Sequence, residues 1–354
     1  MRSRSLVMTI LALALAYFVA FPSAAQGQQP DLDGIKAYLL QQCAKLEENI
    51  SALKEVADAY YGLSTQYDFD YSALWNQETE TVRSLLLQAR SSFLSANSAY
   101  ELMEGIVAGV PALAPFDVDI DAGVPSGEGD GDVVRFDVPL PDGNVLRQPG
   151  NFFYLAELTL WGTNPEWTAQ GVQPDLDGNG TVDFAEVLPD ANVFKGIADA
   201  FLQKSRELSV EAKAWRPRES DAFTALVVMI PTMDEYFQAW KESRYVSGAQ
   251  AVSPQFVATS RLQDIADILH GLQVVYTHIE PLISALDPAQ AQQIEHELSA
   301  LRDFVLQVLS QETAGVKFNP EDADLLGSEA QHRATAIAGQ IAQAAAKLGI
   351  DIQG

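Results

Sequence analysis

The most specific spacing of donor atoms in the chain lies at residues 175 to 186, which read Asp-Leu-Asp-Gly-Asn-Gly-Thr-Val-Asp-Phe-Ala-Glu. A hard divalent ion such as Ca²⁺ takes roughly six to eight oxygens, and a short turn supplies them only when donors recur at alternate residues. Asp175, Asp177 and Asn179 place side-chain oxygens at the first, third and fifth positions of this twelve-residue pattern. Thr181 offers its carbonyl, Asp183 a direct or water-borne contact, and Glu186 both carboxylate oxygens at the closing position. Gly180 stands where the turn needs a residue without a side chain, and Val182 is the apolar residue expected to tuck inward. The pattern predicts an EF-hand-type Ca²⁺ loop. Gly171, Pro174 and Pro189 crowd its flanks and argue against the long entering and exiting helices of a sensor. No second full loop pairs with it, so it reads as a structural clip, for which a Kd of about 0.1 to 1 mM outside a cell suffices.

Two further sets of acids invite a metal reading. Asp117, Asp119, Asp121 and Glu128 repeat the first, third, fifth and twelfth spacing, but the glycine is displaced to Gly123, so a second Ca²⁺ site there is the weaker reading. Glu101 and Glu104 lie three apart near the end of a helical stretch, on one face, ahead of Asp121 in a loop and of Tyr154 and Glu157 in a later apolar helix. The bland alternative is that Tyr154 and Glu157 pack and cap an interhelical contact.

Tyr100-Glu101-x-x-Glu104, then Asp119-Ile120-Asp121-Ala122, then Tyr154-x-x-Glu157 with Leu160-Trp161-Gly162, stand in an order that resembles the imelysin and EfeO-type family of exported proteins linked to iron uptake. The related low-iron-inducible periplasmic proteins of algae share it. In that family the later helix carries Gly-x-His-x-x-Glu; here Phe152 replaces the glycine and Tyr154 the histidine. The resemblance covers residues 90 to 162 most closely. It implies a fold of paired helical bundles, binding of iron as Fe³⁺ or Fe²⁺, and a membrane iron permease as partner. Without the imidazole, what it implies is an all-oxygen set of Glu101, Glu104, Asp121, Glu157 and the Tyr154 phenol, a donor set suited to a hard cation. A peptidase, the activity the family name suggests, is the least favoured reading, because Tyr154 interrupts the histidine motif. A Ca²⁺-stabilised surface or interaction protein without a small ligand is the competing reading from another class.

Helices must position these groups. From Ile35 the apolar residues Ile35, Leu39, Cys43, Leu46, Ile50, Leu53, Ala57 and Tyr60 alternate spacings of three and four, which predicts a long amphipathic helix. A second starts near Tyr71 and runs through Phe93 and Tyr100 to Ile106, stopped by Pro111. Residues 111 to 150 turn to proline, glycine and acids, a long loop with a small β-hairpin closed by Asp142-Gly143. Helical patterns return at 152 to 161, 190 to 214, 219 to 245, 255 to 286, 288 to 311 and 328 to 348, with Pro231 and Pro281 expected to kink or split two of them. Residues 233 to 241, rich in acids and aromatics, read as bundle interface first and ligands second. The fold class is all-α, two packed bundles: 26 to 170 with the loop 111 to 150, then the Ca²⁺ loop at 171 to 190, then 191 to 354.

Composition sets the outer limits. Residues 1 to 25 carry Arg2 and Arg4, an apolar core and the small residues Ser23-Ala24-Ala25, the pattern of a signal peptide, so the mature chain is expected in the periplasm or outside the cell, with no transmembrane segment after cleavage. Cleavage removes two arginines and no acids, leaving 20 basic against 48 acidic residues, a net charge of −28. Such a chain repels nucleic acid and attracts metal cations. Cys43 is the only cysteine, so no intramolecular disulfide staples the fold and the core must hold it.

Overall fold

The computed structural model describes residues 30 to 353, so the expected signal segment lies outside the described residues. Asp31 caps α1 (Leu32–Gln66) by accepting the Gly34 amide, and a tight turn through Asp68 and Phe69, both at positive φ, leads to α2 (Tyr71–Val107), capped in the same way by Asp70. The two helices pack along one another through the stripe read from the sequence: Leu39, Leu46, Ile50 and Leu53 face Val82, Leu86 and Phe93 in the buried core.

Beyond α2 the chain makes a short α3 (Ala114–Asp117), continues as a single π turn at Val118–Ala122, and forms the expected hairpin of β1 (Asp137–Pro139) and β2 (Val145–Arg147) with Gly143 at positive φ in its turn. Asn151 then caps α4 (Phe152–Leu160), whose Phe152 and Phe153 stack into Phe136, Phe93 and Phe201. Next comes α5 (Ala191–Ala214), which lies along α1 and packs on α4. The helix expected to open the second bundle therefore completes the first one, and the chain crosses over only at Trp215.

The second bundle comprises α6 (Glu219–Met229), α7 (Met233–Glu242), a single-turn α8 (Arg244–Ser247), α9 (Arg261–Leu286), α10 (Pro288–Thr313) and α11 (Pro320–Leu348). Pro231 breaks α6 from α7 as expected, but α9 runs through Pro281 without interruption, and α11 begins eight residues ahead of its predicted start, at a capping box made by Asn319 and Asp322. The bundles meet where α9 lies against α2. A β-carbon on Gly271 would fall 2.2 Å from the Leu102 carbonyl oxygen, so only glycine allows this approach, and it brings the start of α9 opposite the acidic end of α2. Among the described residues, no helix is long and apolar enough to cross a membrane.

Candidate metal centre

Glu101 and Glu104 project from the last turns of α2 into the seam between the bundles, where they are 1 % and 3 % exposed. The π turn after α3 carries Asp121 to the same point, and one oxygen each of Glu101, Glu104 and Asp121 lies within 4.8 Å of the others. Both carboxylate oxygens of Glu101 and Oε2 of Glu104 have no hydrogen-bond donor. The remaining Glu104 oxygen accepts the Tyr236 hydroxyl at 2.8 Å, and Asp117 accepts the Tyr100 hydroxyl at 2.7 Å. Asp264, on the first turn of α9, completes the acidic lining and is held by the Asn97 amide at 3.0 Å. A cavity of about 350 Å³ opens beside the cluster, walled by Glu104, Asp117, Asp121, Tyr236, Phe256 and Arg261.

Five buried carboxylates, Glu101, Glu104, Asp117, Asp121 and Asp264, thus share one guanidinium, that of Arg261. Its Nη1 lies 3.2 Å from Asp264 and 3.6 Å from Glu101, and its Nη2 3.4 Å from Asp121. Burial, reinforced by repulsion from Asp264, Glu104 and Asp121, pushes Glu101 well above the usual carboxylate range; Asp117 is driven up by burial, Glu104 and Asp121. Burial also raises Asp121 and Asp264, though Arg261 opposes it at both. Such a cluster is stable only if protons or an added cation neutralise the excess. The donor set fits a hard cation on two counts: it is all oxygen, and its orphaned lone pairs converge in a low-dielectric seam.

The other residues expected at this centre take different roles. Glu157, on α4, is 5 % exposed and accepts the backbone amides of Phe256, Val257 and Ala258 at 2.6, 3.2 and 2.9 Å. It fixes the segment that leads into α9, which is why α9 starts at Arg261 and not near 255. Tyr154 packs its ring against Gly150 and does not line the cavity. The acids of the second candidate Ca²⁺ loop do not converge either: Asp117 meets Tyr100, Asp119 pairs with Lys204 at 2.9 Å, Asp121 faces Arg261, and Glu128 sits in an exposed turn. Arg261 and Asp264 were not foreseen as site residues, and Tyr236 falls within the 233 to 241 stretch, expected as bundle interface first and ligand second. The available signal was charge in the wrong place, since Arg261, Asp264 and Asp267 interrupt an otherwise apolar helix start.

The loop at 175 to 186 is wound as its spacing requires. Asp175 accepts the amides of Gly178, Asn179 and Gly180, Asp177 accepts that of Asn179, and Gly180 takes φ +87°. Glu186 reaches back across the loop to the amides of Leu176, Asp177 and Asp183, which holds its carboxylate beside Asp175 and Asp177. Backbone amides hold the Asp175 carboxyl below its ordinary range, Gly180 foremost. Val182 is not the anchor: it is 46 % exposed, and Leu176 is the residue buried under the loop. Two arginines of α2 tie the loop down, Arg83 donating to the Asp175 carbonyl at 3.0 Å and Arg90 to the carbonyls of Leu160 and Ala185. Neither neighbouring helix runs directly into it: α4 ends at Leu160, and α5 begins at Ala191, after Pro189.

A seam of carboxylates between two helical bundles, reached by the ends of α2, α3 and α9, defines an all-α protein of paired-bundle type. The imelysin family model, named as a peptidase family, matches residues 39 to 348, and the chain belongs to that family. Among solved structures, one from Parabacteroides distasonis ATCC 8503, assigned as an iron-regulated protein A precursor, is similar at 13 % identity with a TM-score of 0.47, covering 91 % of this chain and 98 % of that one. No curated protein matches the chain.

Proposed function

We propose that this is an exported metal-binding protein that takes up a hard cation, iron foremost, between Glu101, Glu104 and Asp121 in support of iron acquisition, with Ca²⁺ clipping the 175 to 186 loop. The observation that carries the reading is the orphaned pair of Glu101 oxygens beside Glu104 Oε2, buried in a seam with too little positive charge to match them, where Glu104 walls the adjoining cavity. A cation would supply what the protein withholds. Asp117 and Asp264 border this set, and Tyr236 orients Glu104 from the opposite bundle. The membership of the imelysin family supports the assignment, and a membrane iron permease is the partner it calls for. The Ca²⁺ loop lies on the other side of Arg90 and Trp161, where an ion would stiffen the joint between α2, α4 and α5 without entering the carboxylate seam.

Nothing at the centre favours peptidase chemistry. Tyr154, at the motif's histidine position, is away from the cavity, and Glu157 is held by three backbone amides. The test is anaerobic calorimetric titration of Fe²⁺ into the mature protein in excess Ca²⁺, repeated with Glu104→Ala. One iron site that disappears in the variant, with Ca²⁺ binding retained, is the expected outcome; iron heats unchanged by the substitution would reject the assignment.

A further inference from the structure

Arg261 is placed against helical preference. It opens α9, where the helix dipole disfavours a cation, and it is 5 % exposed with its Nε lacking any acceptor. Its contacts are loose: 3.2, 3.4 and 3.6 Å to Asp264, Asp121 and Glu101, where a tight guanidinium–carboxylate pair closes to about 2.8 Å. Two aromatic faces hold it, Tyr236 with its ring centroid 4.6 Å away and Phe256 at 4.8 Å. Two of the carboxylates it touches, Glu101 and Asp121, belong to the trio assigned to the metal. The cavity of about 350 Å³ lies on its open side and gives the side chain room to withdraw.

Resting on the metal assignment above, we propose that Arg261 is a built-in competitor for the ion: its guanidinium pairs with Asp121, stands 3.6 Å from Glu101 Oε1 without a hydrogen bond to it, and must move off both when a cation enters. Metal and guanidinium cannot both be satisfied by the same lone pairs, and their like charges repel across a few ångströms of low-dielectric interior. Arg261 therefore lowers the affinity of the site and favours release, as a protein that passes its ion onward requires. The effect is one of affinity and reversibility, so Arg261 is a positioning residue and not itself a ligand.

The experiment is Mn²⁺ titration followed by electron paramagnetic resonance, in excess Ca²⁺ so that the 175 to 186 loop is saturated, on wild type, Arg261→Gln, Arg261→Lys and Glu104→Gln. Arg261→Gln should bind Mn²⁺ at least about tenfold more tightly than wild type, and Arg261→Lys, which keeps the charge, should stay close to wild type. A purely structural arginine predicts the reverse, weaker binding in both. Should Arg261→Gln alone fail to fold around five carboxylates, Arg261→Gln with Asp264→Asn preserves the local charge balance and should still bind more tightly than wild type. Equal or weaker binding by folded Arg261→Gln, or by Arg261→Gln with Asp264→Asn where the single variant does not fold, with binding lost in Glu104→Gln, overturns this inference and leaves the metal assignment standing. Mn²⁺ binding by none of the four proteins overturns both.

Discussion

Replacing Glu157 by alanine removes the acceptor of three consecutive amides at the entrance to α9, and the size of the effect follows from that geometry. Phe256, Val257 and Ala258 donate to it at 2.6, 3.2 and 2.9 Å. These residues are half-buried, so water can reach part of the gap, and each orphaned amide costs about 1 kcal/mol, the low end for such groups. The sum is about 3 kcal/mol, or a fall in Tm of about 4 °C for a chain of this size. Burial pushes the Glu157 carboxyl from 4.5 to about 7 against the opposing hydrogen bonds from Ala258, Phe256 and Val257. The folded chain thus keeps a proton over that window that the unfolded chain gives up, so the contribution of Glu157 is largest below 4.5 and shrinks as pH rises through about 7. The penalty of Glu157→Ala should therefore be greater at about pH 5 than at about pH 8. Differential scanning calorimetry at both pH values, with hydrogen exchange at residues 256 to 258, measures it. A Tm within about 1 °C of wild type and unchanged exchange would refute the role given to Glu157.

Three other outcomes are expected. Chelation of Ca²⁺ should lower Tm by about 2 °C relative to protein in about 1 mM Ca²⁺, the stabilisation of about 1.4 kcal/mol expected at ten times a Kd of about 0.1 mM, and Glu186→Gln should abolish that difference. Arg90→Met should cost about 2 kcal/mol in chemical denaturation and weaken Ca²⁺ binding, because it leaves the Leu160 and Ala185 carbonyls without their donor and Trp161 without its stacked cation. For Asp121, raised by burial from 3.8 to about 7 despite Arg261, the native contribution is lost as pH climbs through that window, so Asp121→Asn should gain stability relative to wild type between about pH 5 and pH 8 when melts are run without divalent ions.

The parts of the fold that could be read from the sequence are those governed by local rules. The three-and-four spacing from Ile35 to Tyr60 fixes α1, Asp142-Gly143 fixes the hairpin, and the spacing from Asp175 to Glu186 winds its loop before any tertiary contact is considered. Errors arose where a distant residue decides. Residues 255 to 260, expected to begin a helix, stay irregular because Glu157, about a hundred positions away, binds the amides of Phe256, Val257 and Ala258. Leu176 displaces Val182 as the loop's anchor because the loop lies on α2 through Arg83 and Arg90. The order of Glu101, Glu104 and Asp121 was visible, and these three do converge. Tyr154 and Glu157 sit one turn apart on α4 and look like partners in sequence, but α4 is turned so that Glu157 faces the α9 entrance and Tyr154 faces Gly150. Arg261 could not be paired with the cluster from sequence, since its place depends on Gly271 letting α9 lie against α2.

Anomalous diffraction from crystals of the mature protein soaked in Mn²⁺ or grown anaerobically with Fe²⁺, in excess Ca²⁺, tests the carboxylate seam most directly. A peak bonded to oxygens of Glu101, Glu104 and Asp121, absent from Glu104→Gln crystals, is the predicted result. Anomalous density confined to the 175 to 186 loop or the acidic surface, with the seam bare at saturating metal, would contradict it.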